Sequence, residues 1–182
     1  MDRRYKKVLT RMGEAMGYHN TSWEESHTDA VFDTILKGLK DTLALKGKVF
    51  LDVGAGLGKI SAFVHEQGGF PIQVDIRKGE HDALNKVIAD AEALPIRGHS
   101  VDIAYAGYLF DTRFYTIDIE KVCSEMCRTL KPGGMFVTAI YHPSPEIVSK
   151  LGLQLMHEVK VGNQEYSVRF YSYPRAESST VS

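Results

Sequence analysis

A glycine-rich segment, DVGAGLG at residues 52–58, is the part of the sequence best suited to approach a ligand with its backbone. It follows the apolar run KVFLDV (48–53) and leads directly into a helical pattern at 59–67. Glycines at such a strand-to-helix turn let the backbone bend tightly without a Cβ clash. The pattern indicates a nucleotide site, although a turn that serves only packing has the same composition.

Two aspartates follow this turn at intervals that suit a nucleoside. Asp75 lies 19 residues after Gly56, near the spacing at which an acidic residue accepts hydrogen bonds from ribose hydroxyls. Ile76 would then pack on an adenine face, and Asp90, which ends the next predicted strand before Ala91, would accept from an exocyclic amine. Each aspartate alone could equally cap the end of a strand.

The segment departs from two other nucleotide motifs. A P-loop requires GxxxxGK[ST], but Ile60 stands where the Ser or Thr belongs. A dinucleotide fingerprint requires a third glycine where Lys59 stands. We therefore disfavour nucleoside triphosphates and NAD as ligands of this turn.

Short apolar runs separated by helical stretches predict the scaffold that positions the turn. Continuous runs of this kind are typical of parallel strands covered on both faces. We predict strands at 48–53, 71–75, 86–91, 101–106 and 135–140, and helices at 59–67, 119–130 and 144–151. The period-two segments 153–161 and 165–173, joined by Gly162-Asn163, predict an antiparallel hairpin. The expected fold class is α/β, a doubly wound and mostly parallel sheet in a single domain.

Two amphipathic helices are predicted before the sheet. Residues 3–16 carry an apolar stripe that ends at Gly17, and Thr28 is predicted to cap a second helix. We assign residues 1–46 to an N-terminal helical lid segment, 47–174 to the core and 175–182 to a flexible tail.

The two cysteines, Cys123 and Cys127, fall on the apolar stripe of the predicted helix at 119–130. We interpret them as core residues and expect no bound metal. The segment 131–134, LysProGlyGly in sequence, is predicted to end that helix and turn the chain.

The composition disfavours several classes of protein. The chain has 182 residues, of which 43% are apolar, and a net charge of -1 at pH 7. It lacks a global basic field that would hold a nucleic-acid backbone or an anionic membrane. The N-terminus has no apolar run of the secretory type, and no apolar run approaches the roughly 18 residues of a membrane-spanning helix. We expect a cytoplasmic monomer or homodimer with no membrane contact and nucleic acid as an unfavoured partner.

Five segments, taken in order, resemble the motifs of the class I S-adenosylmethionine-dependent methyltransferases. VFLDVGAGLG resembles the first motif, PIQVDI the strand with the ribose-binding acid, and ADAEALP the adenine-side motif. VDIAYA resembles the fourth strand, and RTLKPGGMFV the helix-turn-strand before the fifth. The resemblance covers residues 48–140 and implies a Rossmann-like, seven-stranded sheet that binds S-adenosyl-L-methionine. Only IRKGEHDALN separates the second and third strands, so the family's helix at that place is shortened or lost.

The resemblance also implies which residues bind the cofactor. From the methionine end to the adenine end, they are Asp52, Gly54, Gly56 and Gly58 in the glycine turn, Ala106 near the sulfonium, Asp75 on the ribose, and Ile76, Asp90 and Ala91 around the adenine.

Candidates for the acceptor side follow the fourth and fifth strands and the first helix. His142 is the first candidate for a general base, because histidine titrates near neutral pH; a surface histidine before Pro143 is the alternative. Tyr108 and Asp111 are the other catalytic candidates. The remaining acceptor-side candidates are Tyr18, His19, Phe110, Arg113 and Tyr141.

The predicted function is methyl transfer from S-adenosyl-L-methionine to a small-molecule acceptor by in-line displacement. The fourth strand is followed by AGYL, which differs from the NPPY-like tetrapeptide of the family's enzymes that methylate adenine or glutamine amino groups. One alternative is a methyltransferase that acts on RNA or protein and docks through the basic face between Arg3 and Arg11. The other is a catalytically degenerate module that binds the cofactor without turnover.

Overall fold

The computed structural model describes residues 21–56, 58–76, 85–112, 116–161 and 166–174, and at 21–31 and 161 it describes the backbone. The helices are α1 (Thr21–Thr42), α2 (Lys59–Glu66), α3 (Ile119–Thr129) and α4 (Pro145–Lys150). The strands are β1 (Val49–Val53), β2 (Phe70–Asp75), β3 (Lys86–Ile88), β4 (Val101–Gly107), β5 (Leu130–Ala139), β6 (Gln154–Val161) and β7 (Tyr166–Ser172). The predicted helix at 3–16, the hairpin turn at Gly162-Asn163 and the tail at 175–182 lie outside the described residues.

The strands form a seven-stranded sheet in the order β3-β2-β1-β4-β5-β7-β6. The first five strands are parallel, and β7 pairs antiparallel with both β5 and β6. The order reverses between β1 and β4, and open sheets of this kind bind ligands beyond the carboxyl ends of the strands at that reversal. The predicted fold class is confirmed, including the antiparallel hairpin.

Apolar side chains on both faces of the sheet hold the helices against it. One buried cluster lies on the α3 face and includes Val122, Met126, Leu130 and Phe136. The other lies on the face of α1 and α2 and includes Ile35, Leu39, Phe50 and Val64. Burying each such side chain stabilises the fold by about 1.5–3 kcal/mol. Cys123 and Cys127 belong to the first cluster, as expected, and burial raises the pKa of Cys127 to about 12.

Three predicted element boundaries are wrong. Helix α1 is described from Thr21, so Thr28 lies inside it and does not cap its start. Strand β3 ends at Ile88, before Asp90. Asp90 instead closes a turn, since its Oδ1 accepts a hydrogen bond from the Glu92 amide at 2.9 Å.

The third wrong boundary lies between α3 and β5. The segment 131–134 does not turn the chain away from the sheet, because β5 begins at Leu130, which pairs with Val101. The register shifts beyond that pair, and Gly133 has a φ of 77° within the irregular stretch. An irregular strand therefore absorbs the glycines that we expected in a turn.

The loop after β3 is fastened to α3. The Arg128 guanidinium donates to the carbonyl oxygens of Leu94 at 2.8 Å and Ile96 at 2.9 Å, and Glu125 accepts from the Leu94 amide at 2.9 Å. Glu125 also bonds Arg128, which fixes both side chains. This clamp holds the segment that contains the candidate adenine-side residues.

Among the described helices, none combines the length and apolar character needed to cross a bilayer.

Candidate active site

The glycine turn after β1 is held by backbone hydrogen bonds from the neighbouring strand. The amides of Gly54 and Ala55 both donate to the carbonyl oxygen of Val74, at 2.8 and 3.1 Å. Gly54, Gly56 and Gly58 all have positive φ angles, a conformation that costs other residues energy. The turn thus needs its glycines for conformation, beyond the close ligand approach that the sequence suggested.

Asp75 connects the end of β2 to this turn. Its carboxylate accepts a hydrogen bond from the Gly56 amide at 2.8 Å, and its side chain is buried. A carboxylate held in this way has a fixed orientation at the carboxyl edge of the sheet. Asp75 therefore presents a hydrogen-bond acceptor of fixed orientation beside the glycine turn.

Exposed apolar groups lie beside Asp75 at the edge of the sheet. Ile76 is 67% exposed directly after β2, and Ile88 is 57% exposed at the end of β3, where it pairs with Asp75. The Ala89 amide still donates to the Asp75 carbonyl oxygen, and the two residues that follow are Asp90, which is exposed, and Ala91, which is half-buried. These groups provide an apolar surface for a flat ring with a carboxylate near its edge.

Asp52 is a buried carboxylate beneath the turn. Its Oδ2 accepts a hydrogen bond from the Ser61 hydroxyl at 2.7 Å. Burial raises the pKa of Asp52 to about 6, and the nearby Asp75 charge adds to that rise, while hydrogen bonds from Ser61 oppose it. In the sheet register Asp52 lies between Gln73 and Tyr105, so these three side chains share one face.

The raised pKa of Asp52 gives a stability prediction with a defined sign. Because the folded pKa of about 6 exceeds the usual 3.8, the protonated group stabilises the fold below about pH 4, and this contribution is lost as pH rises through 6. The loss corresponds to roughly 3 kcal/mol. Asp52→Asn should therefore be more stable than the native chain by about 2–3 kcal/mol near pH 8, and about equal near pH 4, in urea unfolding.

Asp102→Asn is the matched control for this prediction. Burial raises the pKa of Asp102, but hydrogen bonds from the Val49 amide and Lys131 outweigh it and lower the pKa overall. Because ionised Asp102 stabilises the fold, Asp102→Asn should lose stability at neutral pH. An Asp52→Asn advantage of equal size at both pH values would contradict the assigned pKa.

A cavity of about 220 Å³ opens above Asp52 at the carboxyl ends of β1 and β4. Helix α1 covers one side of it with Phe32 and Ile35, and Lys59 at the start of α2 borders another. Tyr105 and Tyr108 complete the wall toward the acceptor side. The sequence prediction did not include Phe32, Ile35, Lys59 and Tyr105 among the site residues. Phe32, Ile35 and Tyr105 lie far from the glycine motif in the chain, whereas Lys59 directly follows it.

Two strained turns meet beside the cavity. Tyr108 follows β4 with a φ of 59°, and Ile140 follows β5 with a φ of 73°, which is rare for a β-branched residue. The carbonyl oxygen of Ala139 accepts from the amides of Tyr108 at 3.2 Å and Tyr141 at 2.9 Å. One carbonyl therefore fixes both tyrosines, and strain of this kind persists where surrounding structure imposes it.

A row of tyrosine rings extends from the cavity wall. The rings of Tyr108 and Tyr141 lie 6.4 Å apart, and Tyr141 meets Tyr166 edge-on at the same distance. Tyr108 is 44% exposed, whereas Phe110 and Asp111 are buried just behind it. Of the predicted acceptor-side residues, the structure brings Tyr108 and Tyr141 together; Tyr18, His19 and Arg113 lie outside the described residues.

His142 lies in a hydrogen-bonded chain. Hydrogen bonds from Arg169 and Ser167 lower the pKa of Glu158 to about 2, so Glu158 is ionised and accepts a hydrogen bond from the Ser167 hydroxyl. Ser167 must then accept from His142 Nε2–H at 2.9 Å, and His142 Nδ1 accepts from the Thr138 hydroxyl at 2.6 Å.

Both ring nitrogens of His142 are thus engaged within the protein. Burial, together with the nearby Arg169 charge, lowers the pKa of His142 to about 4. The expectation that His142 titrates near neutral pH is wrong, because the ring is desolvated. Its role as a base stays a prediction that this geometry does not favour.

A family model described as a methyltransferase domain matches residues 51–138, from β1 through most of β5. The matched stretch of the chain is therefore a methyltransferase domain. The resemblance drawn from the sequence is confirmed, and S-adenosylmethionine is the cofactor of such domains. All the predicted cofactor residues fall inside the matched region.

Curated relatives of the methyltransferase domain share part of its length. The chain is 34% identical over 98 residues to malonyl-[acyl-carrier protein] O-methyltransferase of Methylococcus capsulatus, covering 46% of this chain and 34% of that protein. It is 30% identical over 100 residues to sterol 4-C-methyltransferase strm-1 of Caenorhabditis elegans, covering 48% of this chain and 29% of that protein. The matched part is thus about a third of each relative's length.

Solved structures share the fold across most of the chain. The methyltransferase in complex with the Trm112 activator of Haloferax volcanii has a TM-score of 0.69 at 16% identity, covering 85% of this chain and 94% of that one. Magnesium protoporphyrin IX methyltransferase of Synechocystis PCC 6803, with bound SAM, has a TM-score of 0.67 at 13% identity, covering 97% and 98%. At such identities the likeness shows the fold alone.

Proposed function

We propose that this protein transfers a methyl group from S-adenosylmethionine to a small-molecule acceptor by in-line displacement. The observation that carries the proposal is the cavity of about 220 Å³ that lies between the glycine turn and the tyrosine row. This volume is below the roughly 300–1,000 Å³ of most ligand pockets, so the cavity suits part of the cofactor together with a compact acceptor group.

The residues of the site divide the work of binding. Asp75 accepts ribose hydroxyls, and the exposed Ile76 and Asp90 lie on the adenine side. The Asp52 carboxylate at the cavity floor attracts the ammonium of the methionine end. The carboxyl end of β4 at Ala106, which is buried, lies on the side of the sulfonium. The backbone at Gly54 and Gly56 borders the cofactor between these groups.

The chemistry requires little beyond positioning. When bound, the sulfonium supplies an activated methyl group: its S–CH₃ bond breaks, a new acceptor–CH₃ bond forms, and the acceptor releases a proton if it carries one. Tyr108 and Tyr141 orient the acceptor, because a shared carbonyl fixes both. Helix α1 serves as the lid with Phe32 and Ile35 and excludes water. Positioning of the reactants alone lowers the activation free energy by up to about 7–11 kcal/mol.

The test separates a small acceptor from the alternatives. The protein is incubated with S-adenosylmethionine carrying a tritiated methyl group and with a cell extract split into metabolite, RNA and protein fractions. Label in the metabolite fraction supports the proposal. Label only in RNA or protein, including an acyl-carrier protein, contradicts a small acceptor and favours a macromolecular one. Cofactor binding without any labelled product would favour a degenerate module.

A further inference from the structure

Among the described residues that border the cavity, Lys59 is the one with a cationic side chain. It opens α2, is exposed, and its Nζ lies 5.4 Å from the centre of the Phe32 ring on the covering helix. Among the described residues, no carboxylate lies within ion-pair distance of this ammonium. A cation over an aromatic face is held weakly, by about 0.5–1 kcal/mol at exposed sites, so it remains able to engage another partner.

The surroundings of Lys59 also favour an anion. The first turn of α2 contains no acidic residue, and its N-cap, Gly58, offers no side-chain acceptor. The positive end of the helix dipole therefore adds to the lysine charge. In the described part of the cavity lining, Asp52 is the only carboxylate, and it is buried at the floor and hydrogen-bonded to Ser61.

The cavity thus presents one anion at its floor and one cation at its rim. A free amino-acid group carries the complementary pair, an ammonium and a carboxylate on the same carbon. The methionine end of S-adenosylmethionine is such a group. Since Asp52 matches the ammonium, the carboxylate is directed to the opposite charge.

We propose that Lys59 binds the carboxylate of the cofactor's methionine end, an inference that rests on the proposed function. Lys59 thereby selects for the intact amino-acid group, and adenosine thioethers that lack this group gain nothing from the lysine. The residue acts in binding and takes no part in the transfer itself. The departure of position 59 from the glycine of a dinucleotide fingerprint then has a chemical purpose.

Two ligands and three variants test this role. Calorimetric titration compares S-adenosylhomocysteine, which carries the amino-acid group, with 5′-methylthioadenosine, which lacks it. Lys59→Met should weaken S-adenosylhomocysteine about tenfold and leave 5′-methylthioadenosine unchanged within about twofold. Lys59→Arg should retain most of the affinity. Lys37→Met, an exposed lysine on α1 away from the cavity lining, is the matched control and should bind both ligands as the native chain does.

Salt dependence gives a second readout. Raising KCl from about 50 mM to about 500 mM should weaken S-adenosylhomocysteine binding by the native chain more than by Lys59→Met, because salt screens an exposed ion pair. If Lys59→Met weakens the binding of S-adenosylhomocysteine and of 5′-methylthioadenosine equally, or weakens neither, the role of Lys59 is overturned and the proposed function still stands. If the native chain binds neither S-adenosylhomocysteine nor S-adenosylmethionine, the proposed function fails, and this inference fails with it.

Discussion

Asp75→Ala is expected to weaken S-adenosylhomocysteine binding by about a hundredfold or more. The substitution removes the acceptor for the ribose hydroxyls, and each hydrogen bond to a charged group contributes about 1.5–3 kcal/mol. It also removes the bond of 2.8 Å that holds the Gly56 amide, so the glycine turn loses a support. Calorimetric titration measures the affinity, and thermal unfolding of the same samples shows whether the fold is retained.

Asp90→Ala is the matched control for this effect. Asp90 is also a carboxylate at the same sheet edge, but it is exposed and closes its own turn, so its loss should cost at most about tenfold in affinity. If Asp75→Ala remains folded and binds S-adenosylhomocysteine as the native chain does, the assigned ribose site is wrong. If NADH binds the native chain in place of S-adenosylhomocysteine, the interpretation of the whole turn is wrong.

Gly58→Ala is expected to lower the free energy of unfolding by about 2–5 kcal/mol. The residue has a φ of 72°, where a side chain costs about 1–2 kcal/mol. An added Cβ would also lie 2.8 Å from the amide atoms of Gln73, which is fully buried and cannot move away easily. Overpacking of this kind costs a further 1–3 kcal/mol, roughly. Urea unfolding at neutral pH measures the change.

Gly47→Ala separates the two contributions. Gly47 has a φ of 75°, but no atom lies within 4 Å of its added Cβ, so this variant should show the backbone cost alone. The double variant Gly58→Ala/Gln73→Ala tests the clash, because shortening Gln73 makes space and should make Gly58→Ala less costly in that background. Equal losses for Gly58→Ala and Gly47→Ala would show that the contact with Gln73 is unimportant.

The sequence predicts the bounds of buried strands more accurately than those of strands at the edge of the sheet. Buried strands such as β1 and β4 have continuous apolar runs, and their predicted bounds differ from the observed ones by about a residue. Strand β3 is short and lies at the edge of the sheet, so its length depends on the turn that Asp90 closes. Thr28 lies inside α1, because the helix extends toward the N-terminus beyond the apolar stripe on which the prediction was based.

The predicted role of His142 shows a different limit. The sequence places His142 correctly after β5, at the carboxyl edge of the parallel strands. Its pKa depends on burial and on the Arg169 charge, and its hydrogen-bonded chain runs through Ser167 and Glu158, which lie 25 and 16 positions away on β7 and β6. Strand β7 pairs antiparallel with β5, and β6 pairs with β7, so no local sequence pattern predicts the hydrogen-bonded chain.

The sequence by itself determined the order of strands and helices, the glycine turn and the acid at the end of β2. These features are local, because they depend on hydrophobic periodicity and on the conformations that glycine permits. The tertiary structure decided which distant side chains share the cavity: Phe32 and Ile35 from α1, Lys59 from α2 and Tyr105 from β4. It also decided the charge states of Asp52 and His142, because desolvation depends on everything packed around a group and not on its neighbours in the chain.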